Sequence, residues 1–325
     1  MAQTTYLEAI RQALWEEMER DPRVFLIGED VGEYGGAFKV TEGFLEQFGA
    51  ARVLDTPIAE SGIVGVACGA AMWGQRPVAE IQFIDFIANA FDQIVNFAAK
   101  NYWRWAVPCP MVIRGPAGGG VRGGPYHSQN PEAFFMHVPG IKIVQPATAY
   151  DAKGLLKSAI RDPNPVLYLE HKYLYRRIKE DLPPGDWTVP IGPAEIRRAG
   201  RDLTIVTYGA MVHKSLEAAA ELDKEGIDVE IVDIRTLAPL DTQTILESVR
   251  RTSKLVIVHE DTLTGGVGAE ISARVTEAAF EWLDGPVRRV CAKDGAGIPF
   301  AAPLEDAFLP QTTDIVRACR DLAAY

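Results

Sequence analysis

The chain has 325 residues, 47% hydrophobic and 24% charged, and this balance is typical of a folded soluble protein rather than a disordered one. Its formal net charge of −11 repels phosphate backbones and argues against general nucleic-acid binding. The longest nearly apolar run, residues 63–74, is too short and too rich in glycine to span a membrane. The N-terminus lacks the basic and apolar segments of a signal peptide, so we predict a cytoplasmic protein.

The first half of the chain alternates apolar strands with helices. A first helix, capped by Thr4 or Thr5, has apolar residues at spacings of three and four and ends before Asp21. Continuous apolar runs predict strands at 23–28, 77–81, 111–114, 141–144 and 166–169, and helical patterns occur at 61–73, 89–102 and 149–161. This alternation is typical of a mostly parallel sheet with helices on both faces.

A proline-rich stretch interrupts the pattern, and we interpret residues 181–194 as a linker. The alternation then restarts, with strands predicted at 203–207, 229–234, 255–258 and 287–290, and helices at 212–224, 242–250, 268–282 and 313–322. The predicted fold class is therefore α/β with two domains, 1–180 and 195–325, each a mostly parallel sheet covered by helices. The four cysteines form no CxxC pair, and we expect buried free thiols.

Ligands of open parallel sheets collect beyond the carboxyl ends of the strands, and polar residues stand at several such positions. Glu29 follows the first strand between glycines, although a turn with solvated acids explains it equally simply. Glu60 precedes an apolar helix, where a carboxylate also stabilises the helix dipole. Gln82 and Phe86 follow the second strand, and Phe86 could stack on a planar ring or belong to the core.

The most unusual stretch is the glycine-rich segment 114–130, which ends near His127. Its outer glycine spacing is that of a phosphate-binding P-loop, but Gly124 and Pro125 replace the required Lys and Ser/Thr, which rejects that motif. Such a loop lets the backbone approach a ligand and deliver one imidazole, although a structural histidine is an equal alternative. The α/β pattern alone also permits a nicotinamide-dependent dehydrogenase, but no dinucleotide fingerprint follows the first strand.

Taken together, these stretches resemble the β subunit of the thiamine-diphosphate-dependent decarboxylase component of 2-oxo acid dehydrogenase complexes. The resemblance covers nearly the whole chain. Its marks lie at residues 28–31, 55–60, 76–83, 127–129, 151–156, 233–237 and 304–306. It implies a transketolase-like pyrimidine-binding domain followed by a transketolase C-terminal-like domain.

The resemblance also implies a cofactor site shared between two chains. In this family the α subunit holds the cofactor diphosphate through Mg²⁺ and a Gly-Asp-Gly motif, and the β subunit receives the aminopyrimidine ring. The chain contains no Gly-Asp-Gly, which agrees with a β subunit. The implied assembly is an α2β2 heterotetramer that decarboxylates a 2-oxo acid and passes the acyl group to the lipoyl-bearing acyltransferase core.

Individual roles follow from the resemblance, residue by residue. Glu60 matches the glutamate that hydrogen-bonds the pyrimidine nitrogen N1′, and His127 matches the histidine that acts in acyl transfer to lipoamide. Phe86, often tyrosine in relatives, lines the pyrimidine pocket with Gln82, and Glu29 is a proton-relay residue between sites. A structural K⁺ site in relatives matches residues that would supply mostly carbonyl oxygens: Met111, Ala159, Ile160, Asp162 and Asn164.

Two departures leave the substrate open. Residues 101–109 carry two tryptophans where relatives usually have a glycine pair. Pro125 and Tyr126 before the histidine are nearer the branched-chain type, whereas residues 169–172 are similar to pyruvate or acetoin types. An acetoin-cleaving dehydrogenase β subunit is therefore an alternative.

Overall fold

The computed structural model describes residues 3–325. The chain divides into two compact units, and each unit combines two separate segments of the sequence. The first unit comprises residues up to Ala117 together with Phe134–Ile191, and the second comprises Gly118–Ala133 together with Gly192–Tyr325. The glycine-rich loop, assigned from the sequence to the first domain, thus groups with the second unit.

The first unit is built on a parallel sheet. Its strands are β1 (Thr4–Thr5), β2 (Val24–Gly28), β3 (Val53–Asp55), β4 (Arg76–Glu80), β5 (Val112–Ala117), β6 (Lys142–Val144), β7 (Val166–His171) and β8 (Lys179–Glu180). Strands β1 and β8 pair only with each other and do not belong to the main sheet. The order across the sheet is β6-β7-β5-β4-β2-β3, and every one of these pairings is parallel. The strands are buried along most of their length, as expected for a sheet covered on both faces.

Helices connect these strands. They are α1 (Tyr6–Arg20), α2 (Phe44–Phe48), α3 (Glu60–Met72), a 3₁₀ segment (Ile84–Ala90), a π-helical segment (Gln93–Ala98), α4 (Ala99–Trp105), α5 (Glu132–Met136) and α6 (Ala149–Arg161). Thr5 caps α1 in a reciprocal arrangement with Glu8, and Thr148 caps α6. The predicted single helix 89–102 is instead the succession of 3₁₀, π and α segments.

The second unit repeats the architecture with a smaller sheet. Its strands are β9 (Glu195–Arg198), β10 (Leu203–Thr207), β11 (Val229–Asp233), β12 (Thr236–Ala238), β13 (Leu255–Thr262) and β14 (Arg288–Ala292). Its sheet has the order β14-β13-β10-β11-β9, in which only β9 is antiparallel. Its helices are α7 (Ala210–Leu222), α8 (Thr242–Thr252), α9 (Val267–Ala279), α10 (Ala302–Phe308) and α11 (Thr312–Ala323), with 3₁₀ turns at Asp223–Glu225 and Phe280–Trp282.

The predicted α/β class with two mostly parallel sheets is confirmed. Within residues 3–325, no helix combines the length and apolar character needed to cross a bilayer. The four cysteines are free; three are buried and Cys291 is half-buried. The Sγ atoms of Cys68 and Cys109 lie 3.6 Å apart.

Candidate functional site

Acidic residues of the first unit gather where its central strands end. Parallel pairing places Gly28 at the end of β2 beside Asp55 of β3 and Glu80 of β4. A Cβ added to Gly28 would lie 2.8 Å from the Glu80 carbonyl oxygen, so glycine lets the end of β2 approach β4 closely. Glu29 follows immediately and is buried.

Glu60 lies at the first turn of α3 and is only 6% exposed. The amide of Asn89, from the 3₁₀ segment, donates a hydrogen bond of 3.1 Å to its Oε2. The positive end of the helix dipole favours a carboxylate at this position, while the amide fixes its direction. Asn89 is a site residue that the sequence patterns missed, because it lies at the start of what looked like an ordinary helix.

The carboxyl groups of this region act on one another. Burial and the negative charges of Glu60, Asp30 and Glu80 raise the pKa of Glu29. Glu29 and Glu60 therefore interact electrostatically, while the role of Glu29 as a proton relay between sites stays a prediction. A carboxyl with a raised pKa can hold a proton nearer to neutral pH and exchange it with a neighbour.

Gln82 and Phe86 lie beside the same strand ends and are half-buried. Gln82 Nε2 donates to Asp30 Oδ2 at 2.9 Å, which links the ends of β4 and β2. Asp30 has a φ of +57°, an unusual conformation for a residue with a Cβ. The four predicted residues of the first unit thus share one edge of its sheet, although their roles toward a cofactor stay predictions.

Deeper in the sheet, Arg114 of β5 is bound by two buried carboxylates. Its Nη2 lies 2.8 Å from Glu170 Oε2, and its Nη1 contacts Glu80 Oε2. Burial raises the pKa of Glu80, an effect that the Arg114 charge opposes. The single guanidinium compensates only part of the charge of the two carboxylates, and this triad was not predicted from the sequence.

His127 lies on the glycine-rich loop, within the second unit, and is half-buried. Its backbone amide donates to the Gly124 carbonyl at 3.3 Å, which closes a turn just before it. Gly124 has a φ of +73°, a conformation that glycine adopts without strain. The predicted role of His127 in acyl transfer stays a prediction.

The residues predicted to bind K⁺ lie close together. Two cationic side chains, Arg76 and Lys142, donate hydrogen bonds to oxygens of Ile160 and Asp162. Arg76 Nη1 donates to the carbonyls of Ile160 at 2.7 Å and Asp162 at 3.1 Å, and Lys142 pairs with the Asp162 carboxylate. The Met111 and Ala159 carbonyls accept backbone amides, and the Asn164 amide donates to Asp162 Oδ1 at 2.9 Å. These hydrogen bonds use one lone pair of each carbonyl oxygen, and K⁺ binding at these residues stays a prediction. Among residues 3–325, no cluster of three or more His, Cys, Asp or Glu has the geometry to hold a metal ion.

Aromatic side chains of the tryptophan-rich segment face solvent. Trp103 in α4 is 92% exposed, and Tyr102 and Trp105 are also exposed. Large apolar groups on the surface of one chain are typical of regions that contact another chain.

Comparison with known protein families agrees with this geometry. Residues 2–177 match the model of the transketolase pyrimidine-binding domain, and residues 192–315 match that of the transketolase C-terminal domain. The solved structure of a split-gene transketolase, described as an inactive β4 tetramer, superposes with a TM-score of 0.80 at 26% identity over 99% of both chains. Fold and site thus define a chain made of the two transketolase-type domains.

Relatives with curated names narrow this class. The chain is 49% identical to the 2-oxoisovalerate dehydrogenase subunit beta of Bacillus subtilis, over all of both chains. It is 47% identical to the pyruvate dehydrogenase E1 component subunit beta of Rhizobium meliloti, over 98% of this chain and 70% of the relative. It is 48% identical to a mitochondrial 2-oxoisovalerate dehydrogenase subunit beta 2 of Arabidopsis thaliana, over 98% and 88%. The chain therefore belongs to the family of β subunits of 2-oxo acid dehydrogenases, and the resemblance noted from the sequence is confirmed.

Proposed function

We propose that this chain is the β half of a 2-oxo acid dehydrogenase that works with thiamine diphosphate and an α subunit in an α2β2 heterotetramer. The complex decarboxylates a 2-oxo acid and transfers the acyl group to a lipoyl group of the acyltransferase core. The observation that carries the proposal is the joint presence of Glu60 and Glu29 at one sheet edge in a chain that matches the family over its full length.

The residues of this edge fit the aminopyrimidine of the cofactor. Glu60 offers a carboxyl group oriented by Asn89, and Phe86 offers a half-buried aromatic face for stacking. When bound, the cofactor supplies an electron sink for the loss of CO₂. The Mg²⁺ that holds its diphosphate belongs to the α subunit in this proposal.

Glu60 exchanges a proton with the ring nitrogen N1′, and Glu29 is placed to supply or accept that proton. Glu29 suits the role because burial and neighbouring negative charge raise its pKa, so that it retains a proton at higher pH than an exposed glutamate. His127 acts later, when a proton must move during acyl transfer to the lipoyl group, because an imidazole can both donate and accept a proton.

The first test replaces Glu60 with glutamine. Glu60→Gln preserves shape but cannot exchange a proton, so hydrogen–deuterium exchange at the cofactor C2 should slow by roughly 100-fold or more in the assembled enzyme. Glu46→Gln, which changes an exposed carboxylate on α2, is the matched control and should exchange at the wild-type rate. An unchanged exchange rate in Glu60→Gln would remove Glu60 from this role.

The second test separates the two half-reactions. His127→Ala should depress lipoyl acylation more than decarboxylation measured with an artificial electron acceptor. The control is His137→Ala, which removes an exposed imidazole. Equal losses in both assays would support a structural role for His127 instead.

The third test concerns the isolated chain. Stacking on Phe86 contributes roughly 0.5–1.5 kcal/mol and a charged hydrogen bond to Glu60 about 1.5–3 kcal/mol. The entropy lost on association costs about 4–15 kcal/mol. These two interactions alone should therefore not bind thiamine diphosphate at micromolar concentrations. Calorimetry should detect binding only after an α partner is added. Micromolar, Mg²⁺-dependent binding by the isolated chain would contradict a shared site.

The substrate and the docking partner are tested with the assembled enzyme. The relatives include proteins named for 2-oxoisovalerate and for pyruvate, so kcat/KM should be compared for both acids and for acetoin. Association with the acyltransferase core should weaken as salt rises, because the C-terminal domain of this acidic chain would dock a basic binding module of the core. Binding that is insensitive to salt would refute an electrostatic dock.

A further inference from the structure

The glycine-rich loop that carries His127 packs closely within the second unit. A Cβ added to Gly119 would lie 2.8 Å from Leu309 Cδ1, and one added to Gly297 would lie 2.6 Å from Pro125 Cβ. Such approaches leave no room for side chains at these glycines. The loop is therefore held against the unit rather than hanging free from it.

Glu305 of α10 binds the first part of this loop and is completely buried. Its Oε1 accepts the backbone amides of Gly120 at 2.9 Å and Arg122 at 3.3 Å, and its Oε2 pairs with the Arg122 guanidinium. The guanidinium also bonds Asp306 at 2.8 Å. Hydrogen bonds to a buried carboxylate are stronger than neutral ones, so Glu305 is a firm anchor.

Glu260 of β13 binds the loop on both sides of His127. A single oxygen, Oε1, accepts the backbone amide of Gly119 at 2.5 Å and the side-chain amide of Asn130 at 3.2 Å. The amide of Gly118 donates to the Gln129 carbonyl at 3.0 Å and closes the base of the loop. The segment bearing the histidine is thus clamped at its two ends by one carboxylate.

The backbone of the loop adopts an unfavourable conformation at Arg122, which indicates that the surrounding contacts impose it. Arg122 has a φ of +64°, which disfavours a residue with a Cβ and persists only where the surroundings impose it. The bonds from Arg122 to Glu305 and Asp306 supply that constraint.

We propose that Glu260 and Glu305 are positioning residues that fix the loop so that His127 is presented in one orientation for acyl transfer. This inference rests on the proposed function for the role of His127, whereas the anchoring of the loop can be measured without any activity. Both carboxylates belong to the second unit, as does the loop that they anchor.

The first arm measures anchoring in the full-length chain by limited trypsin digestion. Trypsin cleaves after Arg122, and mass spectrometry quantifies the fragment that ends there. Glu305→Ala should accelerate this cut about tenfold or more, because Arg122 loses both its backbone and its guanidinium bonds to Glu305, while its bond to Asp306 remains. Glu305→Gln, which preserves the shape if the alanine variant does not fold, should give a smaller increase. Glu277→Ala, an exposed glutamate of α9, should not change the rate.

The second arm measures the two half-reactions with the α partner. Glu305→Gln and Glu260→Gln should each lower lipoyl acylation about tenfold while decarboxylation changes less than twofold. In a His127→Ala background the same substitutions should have no further effect on acylation, because they act through the histidine.

Each result decides a separate statement. An unchanged cut after Arg122 in Glu305→Ala would overturn the anchoring. Additive losses with His127→Ala, or equal losses in both half-reactions, would overturn the positioning role. A wild-type chain without activity beside its α partner would refute the proposed function, and the trypsin arm would still decide whether the carboxylates anchor the loop.

Discussion

Removing Arg114 should destabilise the first unit strongly, because it would leave two carboxylates buried without a cation. Arg114 is 1% exposed and lies between Glu80 of β4 and Glu170 of β7. Tyr175 also donates to Glu170 Oε2 at 2.6 Å, so the arginine is part of a connected network. Arg114→Met keeps an unbranched side chain of similar length while deleting the charge.

The expected loss follows from the burial of all three groups. Breaking a buried ion pair from one side costs about 3–5 kcal/mol, and here both carboxylates lose their partner. The two carboxylates can reduce this cost by binding protons. Burial already raises the pKa of Glu80, which favours its protonated form. In the variant the pKa of Glu80 rises further above its unfolded value, because the Arg114 charge that opposed the effect of burial is gone. The deficit should therefore shrink as the pH falls, by up to about 1.4 kcal/mol per pH unit for each group that protonates.

The assay is urea unfolding at pH 7.5 and pH 5.5, followed by tryptophan fluorescence. Five of the six tryptophans lie in the first unit, so this signal reports on it. The free energy of unfolding should fall by about 3–5 kcal/mol at pH 7.5 and by clearly less at pH 5.5. Adding Glu80→Gln and Glu170→Gln to Arg114→Met should restore most of the loss. A loss below about 1 kcal/mol, or the same loss at both pH values, would refute the reasoning.

Two further substitutions test other parts of the structure. Burial raises the pKa of Glu132 to about 8 from an ordinary 4.5, so the folded chain holds a proton that the unfolded chain releases, and stability should decrease as the pH rises through that window. Glu132→Gln should flatten this dependence of the melting temperature between pH 6 and 9, whereas exposed Glu277→Gln should leave it as in the wild type. Gly140→Ala should cost about 2 kcal/mol more than Gly49→Ala in urea unfolding. Both glycines have positive φ, but an added Cβ would lie 2.0 Å from the Ala99 carbonyl oxygen at Gly140 and meets nothing within 4 Å at Gly49. An equal loss of unfolding free energy in the two variants would show that the backbone near Ala99 moves aside without a measurable cost.

Local signals made the regular elements predictable. Helix α6 was predicted at 149–161 and occupies Ala149–Arg161, because Thr148 supplies a cap and the apolar spacing continues to the end. The apolar strand at 203–207 was equally clear. These elements are specified by residues a few positions apart, which is the range that a sequence pattern records.

Long-range contacts account for what was missed. The succession of 3₁₀, π and α segments between Ile84 and Trp105 has apolar spacings that a single helix shares, so the pattern cannot distinguish them. The placement of the loop with the second unit depends on Glu260 and Glu305, which lie 141 and 185 residues beyond the amides they bind. Antiparallel β9 pairs through few apolar residues and gave no clear strand signal.

The buried carboxylates of this chain differ in whether positively charged or N–H groups compensate their charge. This difference indicates which of them are suited to exchanging a proton. Glu170 bonds to Arg114, and Glu305 bonds to backbone amides and Arg122, so cationic or N–H donors compensate each of them. Glu29 is instead surrounded by Glu60, Asp30 and Glu80, whose charges add to burial and raise its pKa. A carboxyl held as an anion is suited to fixing structure, whereas one that other carboxylates force toward protonation is suited to exchanging a proton. By this criterion Glu29, rather than Glu170 or Glu305, is suited to exchanging a proton, and its exchange with a bound cofactor stays a prediction.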